Sequence, residues 1–508
     1  MGKYIISVIV PVYNVEKYLD DTMKSLIDQT IGFNNIEVIL INDGSTDNSE
    51  KICLKYKNEY PDNIIYISKK NSGVSDTRNV GIEKSTSPYI LLLDSDDMLS
   101  KDFLELTYNF LEKNKDINMV IPRVRFFESI NKWHYTDYIF KDNKKIVDIN
   151  TDITYLKYHS TGILFRKKAI KNIRFDKNVK YGEDMKFVCE FLLQNDKFGL
   201  EKDAIFYYRK RISNNSAVDK QLYDKSYYIN TIKDSFIYIF KQCIKKYGYV
   251  TRYFQYYIMN SLCERVKLNI SIDKVLNSKE IDEYFNNIKY LLRYIDDDII
   301  LMQKRININS KLYFLKFKND DKYKIDIKYH NKKIYINNIA YKIKYGDFIS
   351  IVKIKNLKNE VKFYVKVNDY IFNDSFYVMY NNNKYHLEKE ESIDDKIKTT
   401  YKGLDGIVYY NSKILTFSIP KDKNYTCYFL LNDEEIDYGI SNFVFKHNTW
   451  PKQYKKLDKC VVFMDHKNIY IMRKLYIFKL IYYLLVNSIY LLKERGLKII
   501  FRKITGGK

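Results

Sequence analysis

"YILLLDSDDMLS", residues 89–100, runs an aliphatic strand straight into Asp94, Ser95, Asp96 and Asp97. Uncompensated charge at the end of a buried strand is strongly unfavourable, so water or a cation must pair with these carboxylates. Two carboxylates at alternate positions past a strand end reach one side of a hard divalent ion, which prefers oxygen ligands. A solvated turn or a helix N-cap explains an isolated Asp-x-Asp equally well. A calcium loop does not fit, because its fifth and sixth positions would need an oxygen donor and a glycine where the chain has Met98 and Leu99.

Working outward, short aliphatic or β-branched runs predict strands over 5–10, 37–41, 64–67 and 89–93. Between them, helical spacing of apolar residues predicts helices over 15–29, 45–60 and 73–84. This alternation is the α/β pattern, a mostly parallel sheet with right-handed crossovers and helices on both faces. Polar residues that follow each strand gather at the carboxyl edge of such a sheet, where ligands bind.

At 508 residues, 46% of them hydrophobic, the chain should fold into two to four domains. Residues 1–220 form the first, and a helical extension is expected over 221–309. From 310 to 455 the apolar period falls to two, which predicts a β-rich, sandwich-like accessory module. Residues 466–508 read as a basic amphipathic helix. The longest uncharged run there, 480–492, is 13 residues, short of the roughly 20 a spanning helix needs. Such a helix fits an anionic membrane surface, or packing against the protein or another subunit.

The six cysteines are scattered without a CxxC pair, so reduced thiols are expected and a structural zinc is not. The start, MGKYIISVIVPVYN, lacks the features of a signal peptide, and no export is expected. A formal net charge of +23 points toward an anionic partner. The excess is mostly lysine amid abundant Asn, Ile and Tyr, so compositional bias explains it as readily. No nucleic-acid partner is expected.

The first strand is followed by PVYNVE rather than a glycine fingerprint, and no G-x-x-x-x-G-K-[ST] loop occurs, which disfavours hydride transfer and P-loop chemistry. Four segments in order, SVIVPVYNVEKYL (7–19), EVILINDGSTDNS (37–49), NSGVSDTRNVGI (71–82) and YILLLDSDD (89–97), resemble the nucleotide-sugar glycosyltransferases of the large inverting family two, which have the GT-A fold.

The resemblance implies that Pro11 and Tyr13 lie beside the nucleotide base and that Asp43 hydrogen-bonds it. Asn71 and Arg78 would hold the base and the phosphate side. Asp94 and Ser95 would sit by the ribose, with Asp96, and Asp94 beside it, ligating Mn2+ or Mg2+. An inverting transfer needs a base, and in KYGEDMKFVCEFLL (180–193) the resemblance assigns it to Asp184, with Glu183 positioning acceptor or donor sugar. Arg209, Lys210 and Arg211 would close over the diphosphate. Structural alternatives stand beside these roles. Pro11 can simply shape a turn, Asp43 can cap a helix, Glu183 and Asp184 can complement a helix dipole, and the basic run can be a solvated face. Asp97 is either a supporting residue or a cap. His159, as a lone histidine, is expected to be structural.

YGEDMKF with YYRKR is further similar to bacterial enzymes that glycosylate wall teichoic acid or capsular polymers, whose later modules serve trimer formation or polymer contact. The expected activity is a metal-dependent inverting transfer of a sugar, from a UDP-sugar to a hydroxyl of a cell-surface glycopolymer. The expected setting is a cytoplasmic homo-oligomer, peripheral at the inner membrane face. Alternatives from other classes are a non-catalytic polymer-binding scaffold and a nucleotidyltransferase. The latter would need a glycine-rich basic loop after the first strand.

Overall fold

The computed structural model describes residues 3–212, 220–266 and 272–319, and a set of strands and short connections between 327 and 473. The chain divides into two compact units, Met1–Gln303 and Lys304–Lys508. The first therefore holds both the sheet and the helical extension.

Its first hundred residues form β1 (Ile6–Val12), α1 (Leu19–Ile27), β2 (Ile36–Asn42), α2 (Ser49–Glu59), β3 (Ile64–Ser68), α3 (Val74–Lys84) and β4 (Tyr89–Leu92). Every residue of β2 and β4 is buried, as expected of strands covered on both faces. The one acid inside β2, Glu37, accepts from Ser7 and from the amide and hydroxyl of Thr86. Gly81 sets how closely α3 lies on the sheet, since a Cβ there would stand 2.2 Å from Ile9 Cγ2. Both α1 and α2 start four residues later than the periodicity predicts. Residues 14–16 and 45–49 instead clasp one another: Thr46 N donates to Asn14 Oδ1 at 2.8 Å and Val15 N to Ser49 Oγ at 2.8 Å.

The chain continues through β5 (Met98–Leu99), α4 (Phe103–Lys113), β6 (Met119–Glu128), β7 (Lys132–Trp133), β8 (Ile146–Asp148), β9 (Leu164–Arg166), α5 (Lys167–Ile170), α6 (Glu183–Gln194) and β10 (Lys197–Lys210). The sheet order is β3-β2-β1-β4-β9-β6-β10-β5, with β7 on β6 and β8 on β10. Pairing is parallel among β1 to β4 and between β6 and β10. β9 lies antiparallel to both β4 and β6. The parallel expectation thus holds for the crossover-connected strands, and the sheet is mixed beyond them because β9 enters from a loop.

The predicted helical extension comprises α7 (Lys225–Tyr228), a π-helical stretch (Thr231–Ile237), α8 (Tyr238–Tyr247), α9 (Arg252–Val266), α10 (Ser278–Leu292) and α11 (Asp297–Met302). Tyr257 of α9 donates to Lys157 O, and Tyr158 donates to Asn260 Oδ1 at 2.5 Å, tying this layer to the loop before β9.

Among the described residues, the second unit opens with α12 (Ile308–Lys318) and continues as strands in three sheets of three, five and seven strands, almost all antiparallel. Phe363 and Phe417 stack at 4.8 Å on paired strands. Within the segment expected to be a basic helix, Ile469–Arg473 is a strand paired on both sides. Residues 474–508 lie outside the described residues, as do 213–219. No helix among the described residues is long and apolar enough to cross a membrane.

Candidate active site

The carboxyl edge of β1 to β4 carries the expected polar loops, and four chain segments converge there. Arg78, on the inner face of α3, is only 3% exposed. Its Nη2 donates to Asp94 Oδ1 at 2.9 Å, and its Nη1 lies 3.3 Å from Asp184 Oδ1 and 3.4 Å from Glu183 Oε1. One guanidinium thus joins the end of β4 to the start of α6. Gly182 caps α6 with φ 85, a left-handed turn that suits glycine. Glu183 and Asp184 follow it in the first helical turn, where the dipole favours anions.

The rim continues with β10. Arg211 forks onto Asp96 Oδ2 through Nε at 2.9 Å and Nη2 at 2.6 Å. Arg209 donates from its amide to Asp97 Oδ1 at 2.8 Å, and its guanidinium reaches Asp96 O, Glu128 and Asp21. All three of its guanidinium nitrogens thus hold protein oxygens, whereas the Arg211 guanidinium hydrogen-bonds only the Asp96 carboxylate among the described residues. Asp97 is 1% exposed and its Oδ2 is buried without a hydrogen-bond partner. Burial, with Asp96 and Asp94 beside it, pushes its carboxyl well above the usual range, which fits a protonated acid.

The two members of the acid pair are driven apart. Burial, reinforced by the neighbouring Asp184 charge, pushes Glu183 up to about 7. Burial acts on Asp184 too, but Arg78, His159 and the Ser160 hydroxyl and amide outweigh it and hold the carboxyl below the ordinary value. Asp184 Oδ1 accepts from Ser160 N at 3.1 Å, from the Ser160 hydroxyl and from Arg78. Its Oδ2 accepts no hydrogen bond among the described residues.

Among the residues expected to face the nucleotide base, Tyr13 is 50% exposed, while Pro11 is half-buried and Asn71 exposed. Asp43 sits differently from the three. It is buried, Oδ1 accepts from Ser72 N at 2.9 Å and from Lys69, and Oδ2 accepts from Gly73 N at 2.9 Å. It shapes the loop that presents Asn71. Ser95 is buried beneath the rim.

Lys157 and Ser160, which carry no motif, and Tyr208, the second tyrosine of YYRKR, also belong to this site. Lys157 is 4% exposed, and burial lowers its ammonium to about 8 against the pull of Asp184 and Asp97. Burial, followed by the nearby Asp97, Asp94, Asp96 and Asp184, raises the phenol of Tyr208, which marks it as central to the acidic cluster. His159, 6.0 Å from the Tyr208 ring, is pushed down to about 4 by burial. Alternation along β10 would have found Tyr208, whereas Lys157 and Ser160 depend on how the loop before β9 is laid across the rim.

No group of three or more His, Cys, Asp or Glu able to hold a metal occurs among the described residues. Asp94 and Asp96 nevertheless offer a hard oxygen donor set of the kind that binds Mg2+ or Mn2+ when phosphate oxygens and water complete the shell. Asp94 Oδ1 and Asp96 Oδ2 are held by arginines, and the second oxygen of each carboxylate accepts no hydrogen bond among the described residues.

The Glycosyl transferase family 2 profile matches residues 7–174, spanning β1 to α5. The chain is 36% identical over 324 residues to the minor teichoic acid biosynthesis protein GgaB of Bacillus subtilis, covering 63% of this chain and 36% of GgaB. It is 30% identical over 303 residues to GgaA of the same organism, covering 58% of this chain and 68% of GgaA. The chain thus spans about a third of one relative and two thirds of the other. The crystal structure of S. aureus TarS superposes with a TM-score of 0.52 at 15% identity, covering 92% of this chain and 85% of that one. That likeness shows the fold, the GT-A arrangement the sequence led us to expect. By its sequence match and its relatives, the chain belongs to glycosyl transferase family 2.

Proposed function

We propose that this protein transfers a sugar, with inversion, from a nucleoside diphosphate donor of the UDP class to a hydroxyl of a teichoic-acid type polymer. The observation that carries the reading is the Arg78 bridge, which brings Asp184 to the rim that holds Asp94. Two carboxyl functions with separate tasks meet there.

The acceptor hydroxyl attacks the anomeric carbon from one face while the bond to the diphosphate breaks on the other. Asp184 Oδ2 takes the hydroxyl proton, and the bonding pair leaves with the nucleoside diphosphate. Arg78 and Ser160 keep Asp184 ionised for this step. Glu183 holds the reacting sugar or acceptor beside it. Its carboxyl, pushed up to about 7, makes it the second reading of the base. Pro11, Tyr13 and Asn71 form the base-facing surface, with Asp43 supporting it. Arg211 turns from Asp96 to the diphosphate oxygens. A divalent ion held by Asp96 and Asp94 would screen the charge on the leaving group.

The teichoic-acid class of acceptor is supported by what the two relatives are named for and by the +23 charge. The β-rich unit would engage polymer or a second copy of the chain. The basic tail supports a location at the inner membrane face. The test is nucleoside diphosphate release from a panel of nucleotide sugars, with and without chelator, by the wild type and by Asp184→Asn and Glu183→Gln. The assignment predicts that Asp184→Asn loses about 10²–10⁴-fold in turnover while donor binding is kept. Robust turnover by that variant would sink it, and equal activity in chelator would remove the metal role.

A further inference from the structure

We propose that the first unit carries a second anion site, at the sheet edge opposite the carboxylate rim, that takes the phosphodiester groups of a polyanionic chain. The proposal rests on the polymer acceptor argued above. A cavity of ≈ 970 Å³ opens where β1 and β4 begin and β9 ends, at the register Ile6–Tyr89–Arg166. Tyr89 and Asp94 stand at opposite ends of one strand, about 17 Å apart at strand rise.

The lining carries five cations against two carboxylates. Of these, Arg166 is committed to the carbonyls of Ile117 and Leu111, the Tyr89 hydroxyl and Glu112. Lys167 is committed to Ser85 O. Glu112 is further neutralised by Lys115 at 2.8 Å. The ammonium groups of Lys168 and Lys171 make no hydrogen bond or ion pair among the described residues, and the Arg174 guanidinium reaches only the carbonyls of Lys171 and Ile173. Three cations with uncommitted charge therefore ring one opening.

Ser87 also lines the cavity; it is 1% exposed and its Oγ has no hydrogen-bond partner, an uncommon state for a buried hydroxyl. It is a donor waiting for an oxygen that enters the cavity. Tyr89 and Tyr108, edge to face at 5.4 Å, supply an apolar wall for the carbon skeleton between phosphates. A bilayer surface would meet the ring of cations but not the recessed serine, which favours a chain that can thread in.

The test uses the full chain and a labelled poly(glycerol phosphate) oligomer followed by fluorescence anisotropy. Dextran of similar length and phosphatidylglycerol vesicles serve as the other arms, and UDP binding by calorimetry reports on the rim separately. The triple variant Lys168→Glu, Lys171→Glu, Arg174→Glu should bind the oligomer at least about tenfold more weakly at low salt. Its UDP affinity should be unchanged. Ser87→Ala, which alters no charge, should also weaken oligomer binding. Undiminished binding by either variant overturns the site, as does equal binding of dextran. Loss of vesicle binding alone would assign the cations to a membrane and overturn it too. Because polymer binding is read without turnover, a failure to bind UDP would refute the catalytic reading and leave this result standing.

Discussion

Replacing Arg78 with methionine keeps the side chain's length and removes one buried cation from three partly buried carboxylates, at 2.9, 3.3 and 3.4 Å. Removing one partner of a buried pair costs about 3–5 kcal/mol, and the partial exposure of the three carboxylates places this site toward the lower end. For a unit of this size the loss corresponds to a melting midpoint lower by roughly 5–8 °C. In the wild type, Asp184 has its carboxyl held below the unfolded value, so its contribution is present at neutral pH and lost as pH falls through that depressed value. In the variant, Asp184 keeps only Ser160 and His159 against burial and titrates higher, and Glu183 and Asp94, already raised by burial in the wild type, rise further. Stability is then kept in acid and lost as pH rises. The deficit relative to wild type should therefore widen from pH 5 to pH 8 in thermal melts. Part of it is independent of pH, because the guanidinium also lies over Phe175 at 5.2 Å. A deficit of equal size at both pH values would refute the electrostatic account of the bridge.

Ser160→Ala removes a donor to Asp184, so its carboxyl titrates higher and the acid limb of kcat/KM should move to higher pH; an unmoved limb separates Ser160 from the base. Arg211→Ala frees Asp96 Oδ2 and removes a like charge, so Mn2+ affinity measured by electron paramagnetic resonance should rise by about tenfold. Unchanged affinity would exclude Asp96 as a ligand. Gly81→Ala drives a methyl to 2.2 Å from Ile9 Cγ2. It should destabilise the protein by about 1–3 kcal/mol in urea titrations despite alanine's better helix propensity.

The α/β order was legible because β1, β2 and β4 are apolar runs punctuated by polar loops, and local pattern suffices there. Helix starts were misplaced by four residues because the Asn14–Ser49 clasp is tertiary and invisible to periodicity. Asp94, Asp96 and Arg78 could be picked out by resemblance, and so could Glu183 and Asp184, but no spacing rule says that Arg78 touches Asp184 across 106 residues. The engagement of Asp43 with Ser72 and Gly73 was equally unreadable, since a loop's own amides look like any other residues in sequence. Lys157 and Ser160 escaped because their burial depends on α9, whose Tyr257 pins Lys157 O from 100 residues away.

The three-residue strand β9 has a consequence for how the protein is made. It wedges between β4 and β6, with Ile90 opposite Phe165 and Val120 opposite Leu164, so the middle of the sheet is closed by a piece synthesised after both its neighbours. Asp184, on α6, is synthesised later still, so Arg78 and Asp94 wait for it beyond the wedge. A nascent chain that stops short of residue 184 has the polar loops that follow β1 to β4 but lacks the acid pair, so the Arg78 cluster assembles late in biosynthesis, governed by loop closure over long separations.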